Sequence, residues 1–303
     1  MSMICAIPLI CSRIRHVVLG GGLLLALLAW PCPAAGAPVA GKAAQRIVSL
    51  SPALTKQLYL LGLAEAVVGI TSYCPQPDTS PPIERIGSVV DPSLERILQL
   101  RPDLVVSTPL ASRKRMATLD TLGIPVVEFP PAQSFAQIGE QFLLLGRLTG
   151  KADLAQRLMN AAREKTQALA ATIADRRPKP RVFIQIGVKP LSTAGPDSFL
   201  NDLIEMAGGI NIVKDSTFRV YSREAVLAAN PDCILIVTMG LGGADEIAQW
   251  NRYGNLTAAV KKQIFMIDAD LVCSPTPPDF VQALQEVVTM LYPETDTRAL
   301  EIP

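Results

Sequence analysis

The sequence predicts an α/β protein: two Rossmann-like lobes with central parallel sheets, joined by one long α-helix. Three observations carry that prediction. Short apolar runs alternate with helical patterns through most of the 303 residues. That order gives parallel sheets covered by helices on both faces. The second observation is a pattern that occurs twice. Residues 93–106 read S-L-E-R-I-L-Q-L-R-P-D-L-V-V, and residues 222–235 read S-R-E-A-V-L-A-A-N-P-D-C-I-L. Each copy reads as a short helix with Glu95 or Glu224 in its first turn, a Pro-marked stop, then a buried strand. Third, residues 151–175 hold no Gly or Pro. One helix of roughly 37 Å can therefore act as a strut between the lobes.

Residues 1–40 read as a secretory signal peptide. Arg13, Arg15 and His16 form a positive flank, and the apolar-plus-glycine run Val17–Trp30 follows. It is shorter than the roughly 20 residues a spanning helix needs. Ala35-Gly36-Ala37 fits the cleavage rule, although Pro38 directly after it favours a cut further on, for instance after Ala40. Cys32 follows Ala29-Trp30-Pro31, a poor context for lipidation. The expected location is the periplasm.

The N-terminal lobe spans 45–131. Ile47–Leu50 is a strand, Ser51-Pro52 opens a helix through Leu54, Leu58 and Leu61, and Val67–Ile70 is the next strand. A polar, Pro-rich loop fills 71–92. Then come the Glu95 helix, strand Leu104–Val106, a helix over Lys114–Leu122 and strand Val126–Phe129. Residues 132–177 are helical, first Ser134–Leu148 and then the long helix. The C-terminal lobe spans 178–296: strand Val182–Ile186, helix Phe199–Ala207, the Glu224 helix, strands Ile234–Val237 and Gln263–Ile267, and helix Phe280–Leu291. Residues 297–303 are a tail.

Composition removes several functions. The formal net charge is +1, and the mature chain is near neutral, so it is no basic nucleic-acid binder. His16 is the only histidine. Without it the mature chain has neither a Ser-His-Asp nor a Cys-His arrangement, nor the usual ligand for periplasmic zinc or manganese. No catalytic residue, metal site or cofactor is expected. Cys74, Cys233 and Cys273 remain after processing. Cys233 should pack in a strand; Cys74 and Cys273 are either unrelated loop thiols or a bridge or ligand contact.

Ligands of open parallel sheets bind at the carboxyl ends of the strands. Those ends carry Ser51, Tyr73, Thr108, Gly187, Thr238 and Asp268. Tyr73, Phe218 and Trp250 lie among polar, Pro and Gly residues and are candidate ligand walls. Arg113-Lys114-Arg115 is either a solvated helix face or a site for an anionic group. Gly240-Leu241-Gly242-Gly243 has neither dinucleotide nor P-loop spacing and reads as a cleft loop. Asp268 and Asp270 are the close acid pair near a strand end. Glu95 and Glu224 are either first-turn carboxylates stabilised by the helix dipole or a matched surface. Their equivalent placement on two lobes suits docking better than acid/base chemistry.

Several segments in order carry a resemblance. Val182-Phe-Ile-Gln-Ile-Gly-Val, Ser192-Thr-Ala-Gly, Gly208-Gly209-Ile-Asn-Ile-Val-Lys-Asp215 and Ser222-Arg-Glu-Ala-Val-Leu, with the doubled Glu helix and the secretory start, are similar to class III periplasmic binding proteins of ABC importers. The cobalamin-binding members are the most alike, over about residues 45–294. The resemblance implies two lobes on a continuous helix with little closure. It implies that Glu95 and Glu224 meet arginines on a permease dimer in the inner membrane. It implies a monomeric carrier of a metal chelate: a corrinoid first, a ferric siderophore second and haem third. Tyr73 matches a cleft tyrosine of the cobalamin type, but Val89 and Val90 stand where relatives have tryptophan and Phe218 lies near another. The loop Leu271–Pro278 lacks an arginine often seen in relatives. A siderophore would favour Arg113, Arg115 or Arg219, and haem would use Tyr73 as an axial ligand. The alternative of another class is a chelatase-like enzyme on the same fold.

Overall fold

The computed structural model describes residues 43–77, 82–215, 220–237 and 243–295. The first lobe contains β1 (Ile47–Ser49), α1 (Pro52–Leu60), β2 (Val67–Ile70), β3 (Glu84–Arg85), α2 (Leu94–Leu100), β4 (Leu104–Ser107), α3 (Arg113–Thr121) and β5 (Val126–Glu128). Its strands are all parallel in the order β3-β2-β1-β4-β5. The order reverses direction at the junction of β1 and β4, which opens a crevice at their carboxyl ends. Two helices follow, α4 (Phe135–Leu148) and α5 (Ala152–Thr172). The second lobe holds β6 (Arg181–Val188), β7 (Leu191–Thr193), α6 (Phe199–Met206), β8 (Ile210–Asn211), α7 (Arg223–Ala229), β9 (Cys233–Val237), α8 (Gly243–Asn251), α9 (Thr257–Val260), β10 (Ile264–Ile267), α10 (Ala269–Val272) and α11 (Pro277–Leu291). Its path is β10-β9-β6-β7, with β8 beside β6.

One strand departs from the expected parallel sheet. β7 runs antiparallel to β6, joined to it by a tight turn at Lys189-Pro190. Gly187 belongs to that hairpin, since a Cβ there would lie 2.3 Å from Ser192 Oγ. β3 and β8 have two residues each and show no apolar run by which periodicity could find them.

The repeated segment is explained almost position by position. Ser93 Oγ accepts from Arg96 N–H and Ser222 Oγ from Ala225 N–H, capping α2 and α7. Each helix has seven residues and one buried anchor, Ile97 or Val226. Each ends on a left-handed residue, Arg101 at φ 45° or Asn230 at φ 46°, directly before a buried proline. The aspartates then clamp the strand next door. Asp103 accepts from the backbone N–H of Gln45 and Arg46 at the entry to β1. Asp232 accepts from Arg181 N–H at the entry to β6. In return, Asp103 N–H donates to Arg46 O and Asp232 N–H to Arg181 O, each at 2.8–2.9 Å. The Pro-Asp pairs therefore set the register of β4 on β1 and of β9 on β6.

Each sheet is covered on both faces. In the first lobe, α1, α4 and α5 close one core with Leu54, Leu58, Phe142, Leu145 and Ala155. α2 and α3 close the opposite face with Ile97, Met116 and Leu119. In the second lobe, α4, α5, α6, α10 and α11 share one core with Phe135, Met159, Leu203 and Phe280. α7, α8 and α9 lie on the other face with Val226, Trp250 and Ala258. The expected strut is α5, with 21 residues, and α4 shares its task. Phe135 and Ile138 of α4 lie in the second lobe's core, while its Phe142 and Leu145 lie in the first. The two helices approach closely because α4 presents glycine at the contacts. A Cβ on Gly146 would sit 2.5 Å from Ala155 Cβ, and one on Gly139 2.6 Å from Met159 Cε. Two polar ties add to this join. Lys56 of α1 pairs with Asp279 of α11 at 2.7 Å and donates to Asp270 O. Asp202 of α6 accepts from Phe135 N–H at the start of α4.

Asp232 gives this architecture an acid dependence. Its burial raises the carboxyl's pKa, but the Arg181 N–H bond and the Lys261 ammonium at 3.1 Å outweigh that and hold it below its ordinary value. A carboxylate depressed on folding stabilises above the unfolded value, near pH 4, and loses that contribution as pH falls through the lower folded value. Asp232→Asn should flatten the rise of Tm with pH in the acid range below about pH 4, measured by thermal melts in a buffer series. An unchanged acid limb would remove Asp232 from this role.

Candidate functional site

The carboxyl ends of the first lobe's strands are linked into one rim. Ser72 N–H and Oγ both donate to Gly87 O, which ties the turn after β2 to the turn after β3. Arg85 Nη1 donates to the carbonyls of Thr71, Ser72 and Cys74. These bonds shape the turn so that Tyr73 stands 75% exposed. Arg115 of α3 donates to Pro92 O and pairs with Asp91, joining α3 to the segment before α2 on the same rim. Val90 and Leu110 are also exposed here, and Val220 of the second lobe, bridged to Ser192 beside β6, is 59% exposed. They stand at the strand ends, where ligands of open parallel sheets bind.

A cavity of about 940 Å³ lies between the lobes, against β5, the edge of the first sheet opposite β3. Its walls are the end of β5 with Phe129, Pro130 and Pro131, the flank of α4 with Gln137, Glu140 and Gln141, and Ile186, Thr193 and Asp197 of the second lobe. None of the described strand-end residues expected from sequence lines it. Two are immediate neighbours: Gly187 follows Ile186, and Thr108 follows Ser107, whose carbonyl accepts from Phe129 N–H at 2.8 Å. Thr108 Oγ1 and Ser107 Oγ are buried with no hydrogen-bond partner among the described residues. Charged groups on the cavity wall among the described residues are Glu128, Glu140, Asp197 and Arg147, an acidic excess.

Two expected ligand residues have other work. Trp250 is fully buried. Its Nε1 donates to Gln185 Oε1 at 2.8 Å, its ring meets Phe183 edge-on, and the Arg223 guanidinium lies 4.6 Å from its centroid. Arg223 and Gln185 both donate to Glu246, which is 4% exposed. Trp250 is thus the centre of a core network, hidden from sequence because its polar neighbours come from three separate elements. Ser51 is turned inward as well. It is buried at the N-cap of α1, with its carbonyl accepting from Thr55.

The remaining expectations divide. Arg113 is exposed at the first residue of α3. Asp268 is exposed and its Oδ1 accepts from Asp270 N–H, so the acid pair forms a helix cap. Phe218, Arg219, Thr238 and most of the glycine loop lie outside the described residues. Cys74 and Cys273 are not bridged. Cys74 is 3% exposed in the first lobe's core. Partial burial, then the charges of Asp270 and Asp268, push the Cys273 thiol above its usual value, with Lys56 opposing. Leu110 and the α4 glutamines were missed by the sequence reading. The signal for Leu110 was an apolar residue in a polar turn directly after a strand. Glu95 and Glu224 are exposed in the first turns of their helices, on the sheet faces turned away from α4 and α5.

Residues 47–271 match the family described as periplasmic binding protein. The chain belongs to that family. It is 30% identical over 262 residues to an ABC transporter substrate-binding lipoprotein of Bacillus subtilis, covering 84% of this chain and 82% of that one. It is 34% identical over 223 residues to a vitamin B12-binding protein of Salmonella choleraesuis, covering 72% and 81%. The structure of the periplasmic vitamin B12-binding protein of Vibrio cholerae superposes with a TM-score of 0.69 at 27% identity, over 82% of this chain and 96% of that one. A periplasmic haem-binding protein of Pseudomonas aeruginosa shares the fold, with a TM-score of 0.72 at 21% identity over 84% and 94%. The architecture is that of the class III periplasmic binding proteins.

Exposure separates the aromatic residues experimentally. Tyr73→Ser should weaken ligand binding about ten-fold or more with Tm unchanged, because it removes wall area and no core contact. Trp250→Ala should cost about 3–5 kcal/mol of stability, read by denaturant melts. Equal effects of the two changes on both readouts would contradict this division.

Proposed function

We propose that this chain captures a corrinoid between its lobes and delivers it to the permease dimer of an ABC importer. A cavity of about 940 Å³ lined by both lobes supports this most directly, together with the exposed apolar side chains at the first lobe's strand ends. That volume lies at the upper end of ordinary small-molecule sites, about 300–1,000 Å³. A corrinoid has broad apolar faces and an edge of uncharged amides. Tyr73, Val90 and Leu110 suit the faces; Gln137 and Gln141 on the cavity wall suit the amides. The acidic excess on the cavity wall opposes an anionic chelate, which would meet Glu128, Glu140 and Asp197. The vitamin B12-binding relatives support the same choice.

Haem is the second reading, favoured by one observation. Tyr73 projects its phenol into solvent on a turn held by Arg85, where a tyrosine can serve as an axial ligand. A ferric siderophore would rely on the exposed Arg113. An enzymatic reading finds little support, since the Asp268–Asp270 pair is engaged as a cap and Cys273 is held as a thiol. In the carrier reading, α4 and α5 keep the lobes at a set distance, so capture needs only small adjustments. Glu95 and Glu224, one on each lobe, then orient the loaded protein on the permease through charge pairs.

Titration of the purified protein with cobalamin, haem and a ferric siderophore, by tryptophan and tyrosine quenching, tests the ligand. Saturable binding of cobalamin, recovered chemically unchanged, is expected; binding of haem alone, with loss on Tyr73→Phe, would replace the corrinoid. The docking role predicts that Glu95→Arg with Glu224→Arg abolishes uptake while ligand affinity stays near the original. Undiminished uptake in that double variant would remove the glutamates from docking.

A further inference from the structure

The repeated segment leaves two of its shared positions unexplained by the fold. Its serines cap helices, Ile97 and Val226 are fully buried, its prolines are buried, and its aspartates clamp the neighbouring strands. Glu95 and Glu224 are one remaining pair. Leu98 and Leu227 are the other, each three residues after its glutamate. Residues at that spacing share one side of a helix. Leu98 is 39% exposed and belongs to neither core of its lobe. Leu227 is half-buried, with part of its surface resting on the second lobe's core.

The cations beside the glutamates are drawn away from them. Arg96 donates to Arg85 O at 2.6 Å and lies 3.4 Å from Glu84. Arg223 is committed to Glu246 at 2.5 Å. Neither glutamate has an ion pair or hydrogen bond among the described residues. Each lobe therefore offers a similar two-point patch, an uncompensated carboxylate with a leucine one turn further along, the leucine of the first lobe being the more exposed.

We propose that Leu98 and Leu227 are the apolar anchors of the docking surface, each entering a recess next to the cation that meets Glu95 or Glu224. The partner is a two-fold permease dimer whose outer surface pairs a basic side chain with an apolar hollow on each half. The inference rests on the docking reading of the glutamates and adds the groups that would hold the complex once charge has aligned it. Charge pairs at a rim govern encounter and salt dependence, whereas desolvated apolar anchors slow dissociation.

The test is binding of the ligand-loaded protein to its importer in nanodiscs at several salt concentrations, with Tm and ligand affinity measured in parallel. Leu98→Gln should weaken importer binding about ten-fold at every salt concentration, through faster dissociation, with Tm and ligand affinity unchanged. Leu98→Met, which keeps the apolar volume, should bind as the original does. Glu95→Gln should instead flatten the salt dependence. Original affinity in Leu98→Gln alongside weakened Glu95→Gln would overturn the anchor and leave the docking reading standing. Original affinity in both, and in Glu224→Gln, would overturn the docking reading and the anchor with it.

Discussion

The close contact between α4 and α5 is the constraint on which the rest of the structure depends. Glycine at 139 and 146 lets α4 settle against Met159 and Ala155 at distances that a side chain would forbid. The paired helices then supply residues to the cores of both lobes. A pair shared in this way resists sliding, because any shift would open voids in two close-packed interiors at once. Lys56, reaching from α1 to Asp279 and to the Asp270 carbonyl, opposes the same motion from another side. The gap between the sheets is thereby set before a ligand arrives, which lowers the ordering cost of binding. The same rigidity holds α2 and α7, with their glutamates, at one separation.

Much of this was legible in the sequence, because it rests on local rules. The doubled Ser-x-Glu and Pro-Asp pattern announced two equivalent helix–strand units, since caps, left-handed ends and proline stops act within a few residues. The alternation of apolar runs gave the central strands and most helices. β3 and β8 were not legible because their pairing is made by partners distant in the chain, and β7 because its three residues are too few to show a period of their own. The bridging role of α4 was equally hidden: its apolar stripe looks like that of any packed helix, and only the tertiary structure shows the stripe divided between two cores.

The site was legible only at its edges. Tyr73 and Thr108 lie where strand ends predict, and the structure leaves the first exposed and the second with an unpaired hydroxyl. Trp250 misled because a tryptophan among polar residues looks exposed, while Gln185 accepts its N–H, Arg223 lies over its ring, and Glu246 holds both of those partners. A buried charge needs such partners, and none can be identified before the chain is folded. That network is confined to the second lobe. It lies directly beneath α7, so the two docking helices rest on unlike foundations: aliphatic under α2, polar and aromatic under α7.

The path of the chain through the bridge has a consequence for folding. The chain leaves the first lobe after Phe129, begins α4 among second-lobe residues, returns along α4, and departs again along α5. Three successive passes stitch the halves together. A fragment ending at Pro131 would lack Phe142, Leu145 and Ala155 from its interior, and a fragment beginning at Pro178 would lack Phe135, Met159 and Leu169. Neither half is self-sufficient, although each sheet looks like a domain. The two should melt as one cooperative body, and a protease cut between α4 and α5 should leave the pieces associated.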